Sequence, residues 1–137
     1  MKAGNYIFSK LSATSAVTAL VSTRIYPVIM PQEAVFPAII YSVSNKPLDA
    51  NMKDRGPSHD QATVVFNFWA DIKYGQDAYT SLDAIDVAVR NAIDFVSDTA
   101  GGVTCETCKY LGGEDMFSED RLLLGRAVTY QLTTKNA

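Results

Sequence analysis

The sequence predicts an α+β domain, a mainly antiparallel sheet with two helical segments packed on one face. Three observations carry that prediction. From Ala62 to Ile72 the chain alternates strictly, with Ala62, Val64, Phe66, Phe68, Ala70 and Ile72 on one face and Thr63, Val65, Asn67, Trp69 and Asp71 on the other. Such period-two alternation, rich in aromatic and β-branched residues, belongs to a half-buried strand. After it, Tyr79, Leu82, Ile85, Val89, Ala92, Ile93 and Val96 form a stripe at helical spacing. The elements also follow the order helix, strands, helix, strands, with connections short enough for antiparallel neighbours. A chain of 137 residues suits one domain. At that size folding buries roughly two-thirds of the surface the unfolded chain exposes, so a core forms without staples.

Each element has its local reason. Tyr6, Ile7 and Leu11, then Ala16, Val17, Leu20 and Val21, recur at helical spacing, interrupted by Ser12-Ala13-Thr14-Ser15. Hydroxyl side chains cap helix starts by accepting from free backbone N–H groups, so a helix in two parts is expected from about Asn5 to Ser22. All five prolines fall between Pro27 and Pro57. Pro27, Pro31 and Pro37 forbid regular helix and central strand, because proline fixes φ and lacks an N–H. Ala38 to Ser44 reads as a strand. Asn45 to Gln61, NKPLDANMKDRGPSHDQ, reads as a long polar loop, and loops of that length inside a domain are functional or disordered. Tyr74-Gly75-Gln76-Asp77 turns into the long helix, and Gly101-Gly102 ends that segment. Val103 to Leu111 and Leu122 to Leu132 then read as two strands, joined by the acidic loop GGEDMFSED with an exposed Met116-Phe117 pair. Arg126 is the exception on the apolar face of the last strand.

Charge is unevenly placed. Met1 to Gln76 carries seven Lys/Arg and five Asp/Glu, Asp77 to Asp120 carries two and ten, and Arg121 to Ala137 carries three and none, for a net charge of −3. A middle segment this acidic argues against a grip on phosphates, which needs clustered cations. No apolar run approaches the roughly 18 residues of a membrane span, and polar residues break up Met1 to Leu20 too often for a secretory signal. A soluble, cytosolic protein is expected.

The residues of reactive chemistry form no recognisable constellation. His59, the only histidine, sits in the expected loop between Ser58 and Asp60, where solvation is its ordinary fate; a catalytic relay is spatial, and sequence neighbours do not supply one. Cys105 and Cys108 form a lone CxxC, and the chain lacks the four ligands of a structural zinc site. A redox pair needs its first thiol at a helix N-terminus, whereas this segment reads as strand and points the two thiols to opposite faces. The carboxylates do not single out an acid and a base. No cofactor, metal site or enzymatic activity is expected.

What does stand out is an order of short motifs: Arg24-Ile25-Tyr26-Pro27 after the first helical region, then Pro31-Gln32, then Pro37-Ala38-Ile39-Ile40-Tyr41, then the strand Val64 to Ala70 and its following helix. From Tyr6 to about Phe95 this order resembles the tail completion, or tail terminator, family of long-tailed bacteriophages. The resemblance implies a structural protein of the virion, made in the host cytoplasm. Such proteins form a ring, usually a hexamer, at the head-proximal end of the tail tube, where it stops polymerisation and offers a surface for joining the head. The partners implied are other copies of the chain, the tail tube protein and a head-completion or neck protein, with DNA only in passage. Another neck or head-closure component, or a small α+β enzyme or ligand-binding domain, stays open as an alternative.

Candidate contacts follow from exposure and stiffness. A Pro-rich segment loses little entropy on docking, which favours Val28, Ile29 and Met30. The polar loop offers Lys53, Asp54 and Arg55. The second face of the Ala62–Ile72 strand offers Val65 and Trp69, and the acidic loop offers Met116 and Phe117. In a ring that passes DNA, Glu114, Asp115, Glu119 and Asp120 are the candidate charges for a repulsive lumen.

Overall fold

A computed structural model describes residues 2–29, 36–47, 59–71, 76–118 and 123–135. Two helices, α1 (Lys2–Ala13) and α2 (Ser15–Val21), open the chain, and Thr14 is the hinge between them. The expected two-part helix is present and begins earlier than its apolar pattern. The hydroxyl of Thr14 does not cap α2; it donates back to Lys10 O at 2.7 Å, tying the joint to the helix before it.

Six strands form one sheet in the order β1-β2-β3-β6-β5-β4. They are β1 (Ile25–Pro27), β2 (Ala38–Pro47), β3 (His59–Asp71), β4 (Asp98–Ala100), β5 (Val103–Ser118) and β6 (Leu123–Lys135), with the helix α3 (Gln76–Ile93) between β3 and β4. All pairs are antiparallel except β1 with β2. That exception accounts for two of the motifs: Ile25, Tyr26 and Pro27 lie in parallel register beside Ile39, Ile40 and Tyr41. Pro27 is accommodated because β1 is the edge strand, where a missing N–H breaks no central ladder.

The strand pattern of β3 is realised residue by residue. Ala62, Val64, Phe66, Phe68 and Ala70 are buried toward the helices, while Thr63, Val65, Asn67, Trp69 and Asp71 are half-buried on the other face. Across the sheet, Tyr41, Val128, Tyr130 and Leu132 join them, and Leu82, Ile85, Val89 and Ile93 of α3 with Tyr6, Ile7 and Leu11 of α1 close the core from above. Phe66 stacks on Phe68 at 6.0 Å and meets Tyr130 edge-on at 5.6 Å. Tyr79, expected on the buried stripe, is exposed at the margin of α3.

Two expected loops are shorter than the sequence implies. Asn45–Pro47 and His59–Gln61 extend the β2/β3 hairpin, so His59 is strand, opposite Lys135, and not loop. Gly112–Ser118 continues β5, paired with β6 down to Ser118 opposite Leu123. Charged residues in long antiparallel strands hide the period-two signal there, since one face of each is wet. The register slips twice in β5, between Cys105 and Thr107 and between Tyr110 and Gly112. The first slip corrects the expectation for the cysteines: the extra residue of a bulge reverses the alternation, and Cys105 and Cys108 are both buried on the helix side.

Candidate assembly surface

The edge of the sheet at β1 is built by local bonds from the motif residues. Arg24 Nε donates to Pro37 O at 2.8 Å, and Ile39 N–H donates to Arg24 O at 2.9 Å. Val28 N–H donates to Tyr41 O at 2.8 Å, and Ile29 N–H closes back on Pro27 O at 2.6 Å. Val28 sits at the centre of that γ-turn with φ 62°, a left-handed conformation that a β-branched residue adopts only under strain. The turn throws Val28 and Ile29 into solvent, 69% and 75% exposed, while Ile25 lies in the core. Met30 lies outside the described residues, as do Lys53, Asp54, Arg55, Glu119 and Asp120.

The acidic residues of α3 point partly to the sheet. Arg126, nearly buried on the helix side of β6, holds Asp83 Oδ1 at 2.6 Å through Nη1 and Asp115 Oδ1 at 2.8 Å through Nε, with Asp86 Oδ2 at 3.5 Å. Tyr79 lies beside it, its ring centre 5.2 Å from the guanidinium and its hydroxyl donating to Asp115 Oδ2 at 3.3 Å. Burial opposes the charge on Arg126, but its hydrogen bonds to Asp115 and Asp83 more than offset it, so the guanidinium is held firmly ionised. Burial raises the Asp86 pKa despite Arg126 and Arg90; its Oδ1 and the buried Tyr130 hydroxyl have no hydrogen-bond partner among the described residues. Asp94 accepts from Tyr110 N–H at 3.1 Å and pairs with Arg90. Arg126 is therefore a clamp between α3 and β5.

A second clamp ties α1 to β4. Tyr6 donates to Asp98 Oδ1 at 2.6 Å, and Lys10 pairs with Asp98 Oδ2. The hydrogen bonds from Lys10 and Tyr6 hold the Asp98 carboxyl below its usual range. Burial pushes the thiols the other way, Cys105 up to about 11 and Cys108 up to about 12. Neither is a ready nucleophile at neutral pH, because the thiolate is the reactive form.

On the helix-free face, Trp69 lies across Gly125: a Cβ at that glycine would meet the indole at 2.6 Å and Met116 Cγ at 3.1 Å. Trp69 and Met116 thus flank one glycine, from β3 and β5, and Ala38, Ile40 and Leu123 are buried on the same side. Val65 and Trp69 are half-buried there, and Met116 is half-buried instead of forming an exposed pair with Phe117. Phe117, on the other face of β5, is 50% exposed. Glu114 is exposed on the helix-free face, whereas Asp115 faces Arg126. Sequence reasoning missed the Arg126 clamp, although its one signal, a cation on an otherwise apolar strand face, was visible.

The described residues thus offer ion-pair clamps, buried thiols and an exposed apolar turn at a sheet edge, the equipment of a structural subunit. The chain matches the family described as tail completion protein gp17 over residues 5–135, and it belongs to that family. It is a structural protein of a phage tail. Among solved structures it is similar to a chain of the virion of a native gene transfer agent particle, with 18% identity, a TM-score of 0.71 and 98% of each chain covered. At that identity the likeness shows the fold. No curated protein matches the chain.

Proposed function

We propose that the protein forms a ring of six subunits at the head-proximal end of the tail tube, where it ends tube polymerisation and presents the surface that joins the head. The observation that carries this reading is the tail completion family match, which spans nearly the whole chain. The physical features support it. A ring needs heterologous contacts that close by rotation, in which two different patches of one surface meet. The strained turn at Val28 and Ile29 and exposed Phe117 are patches of that kind, and Met30, Lys53, Asp54 and Arg55 are further proposed contacts. The proposed partners are further copies of the chain, the tail tube protein and a neck protein, with DNA passing through the lumen unbound. Negative-stain images of the purified protein, alone and with tail tubes, test this. Six-fold rings that cap one end of each tube and halt its growth are the expected result. Tubes that keep growing at both ends in excess protein would overturn it.

A further inference from the structure

The sheet ends in two strand edges that β1 and β4 cover only in part. β1 pairs with β2 at Ile39 to Tyr41 alone, and the γ-turn at Val28 ends that strand. β4 pairs with β5 only at Val103 to Cys105, and the end of α3 covers the next stretch, through Phe95 N–H to Cys108 O at 2.8 Å and Tyr110 N–H to Asp94. Among the described residues nothing pairs with the outer edge of β2 beyond Tyr41 or of β5 beyond Tyr110.

The alternation of an antiparallel ladder decides which backbone groups face outward. In β2, Ile39 N–H and Tyr41 C=O bond outward to the β1 segment, and the β2–β3 register runs unbroken to Pro47. Val43, Asn45 and Pro47 therefore turn their peptide groups to the open edge. The same count carried through β3 and β6 points Gly112, Glu114, Met116 and Ser118 at β6. Gly113, Asp115 and Phe117 are left facing outward, in phase with Cys108 and Tyr110 before the second bulge.

We infer that these two edges pair with each other between neighbouring copies, the β2 edge of one against the β5 edge of the next, so that the sheets join into one continuous antiparallel wall. The inference rests on the ring reading and names the interface that closes it. β2 and β5 run in opposite directions within the sheet. An axis along the strands keeps those directions in every copy, so the new pair is antiparallel. One register pairs every outward residue with another: Val43 with Phe117, Asn45 with Asp115, Pro47 with Gly113. It supplies two hydrogen bonds at each of the first two pairs and one at the third, where Pro47 has no N–H. That register also sets Lys46, the one charge of Ser42–Pro47, opposite Glu114, and places Val43 against exposed Phe117. Opposite charges and apolar pairs facing each other across strands are the contacts that stabilise such a ladder. Strand edges of this length are otherwise an aggregation hazard, and closure of the sheet removes them.

The test uses proline, which deletes one N–H. Asn45→Pro and Phe117→Pro each remove an outward donor and leave the internal ladders intact. Each variant alone is expected to keep its far-UV dichroism and to sediment as a monomer where the wild type is a ring. Mixed one to one, they are expected to form a dimer and stop, because each retains the edge the other lacks. Rings formed by either folded variant alone would overturn the pairing, and a dimer of one variant alone would show edge joined to like edge, which also overturns it. If a proline variant does not fold, Lys46→Glu serves instead: a weakening of association of tenfold or more, reversed by Glu114→Lys in the same chain, supports the pairing, and unchanged association overturns it. A wild-type chain that stays monomeric at all concentrations and forms no ring on tail tubes would overturn the ring reading itself.

Discussion

Arg126 shows how a single residue joins two elements through charge. It draws charges from α3 and from β5, and Asp86, largely buried, depends on it and on Arg90 for compensation. Replacing one partner of a buried ion pair strands the other, but Asp83 and Asp115 are about half-exposed and rehydrate. Arg126→Met should therefore cost about 2–3 kcal/mol, at the low end for buried pairs, and lower the melting temperature by roughly 10 °C. A loss under about 0.5 kcal/mol, the range of ordinary surface changes, would show that the cluster is only a surface ornament. Asp98 sets an acid limit. Its folded pKa is depressed by Lys10 and Tyr6, so its contribution is complete above the unfolded value near 4 and is lost as pH falls through the folded one. Asp86 acts oppositely: its raised pKa means that ionisation costs stability as pH climbs through the unfolded value, and protonation relieves the cost in acid. Asp98→Asn should flatten the fall in stability below about pH 4, an effect of about 1 kcal/mol, seen in urea titrations at pH 3 and pH 6. The thiols follow the same logic of burial. A Cys105→Ser, Cys108→Ser double variant should fold and assemble with a cost of about 1–3 kcal/mol from buried hydroxyls, and failure to assemble despite a native fold would give the pair a role beyond packing. Beyond the place of Arg126 on an apolar strand face, the clamps were not legible in the sequence, because Asp83, Asp86, Asp98 and Asp115 read alike as surface acids until the fold brings cations to them.

Elements were legible where one face is dry and the other wet. β3 and α3 declared themselves by period, since their apolar residues lie against a core and their neighbours do not. The ends of β2 and β5 did not, because Asn45-Lys46-Pro47 and Gly112-Gly113-Glu114-Asp115 have turn composition and gain strand geometry only from the partners beside them. The proline and glycine content that marks a loop is tolerated at a sheet edge. The bulge at Glu106 was equally invisible, and it reversed the side on which Cys105 lies. The end of α3 carries a different irregularity. Phe95 follows the helix with φ 60° and is 82% exposed, in the left-handed position where glycine is usual. Its ring buries little in the subunit, so Phe95→Gly should stabilise the isolated chain by about 0.5–1 kcal/mol through relief of that strain. A destabilised monomer would show instead that the ring packs in solution. If the variant is more stable but assembles poorly, Phe95 is retained for a contact with another subunit.

At the scale of the whole molecule the acidic segment from Asp77 to Asp120 acquires several separate roles. Asp83, Asp86, Asp94, Asp98 and Asp115 are held in internal pairs, and the two partners from outside the segment, Arg126 and Lys10, reduce its balance only from −8 to −6. Of the four residues proposed for a lumen, Asp115 belongs to the Arg126 clamp, Glu114 is exposed on the helix-free face, and Glu119 and Asp120 lie outside the described residues. If sheets join edge to edge with helices outward, the helix-free face lines the channel. Its Thr63, Asn67, Thr129, Gln131 and Thr133 are neutral and hydrogen-bonding, and Lys109, opposite Gln131, is an exposed cation on the same face. Counterion release by lumenal lysines is what would make DNA stick, and carboxylates prevent it. In the proposed edge pairing Glu114 stands opposite Lys46, and Glu119 and Asp120 are the carboxylates proposed for repulsion. The two roles separate by mutation. Glu114→Lys should weaken ring formation, and any particles that do form should eject DNA slowly at low salt, because the new lysine lies on the lumenal face. Glu119→Lys with Asp120→Lys should leave rings intact and slow DNA ejection at low salt, with recovery as ionic strength screens the new charges. Asp115 is kept in both variants so that the clamp on Arg126 does not confound the result. Normal ejection at low salt from the second variant would remove Glu119 and Asp120 from the channel, and rings lost in that variant would place them at a subunit interface instead.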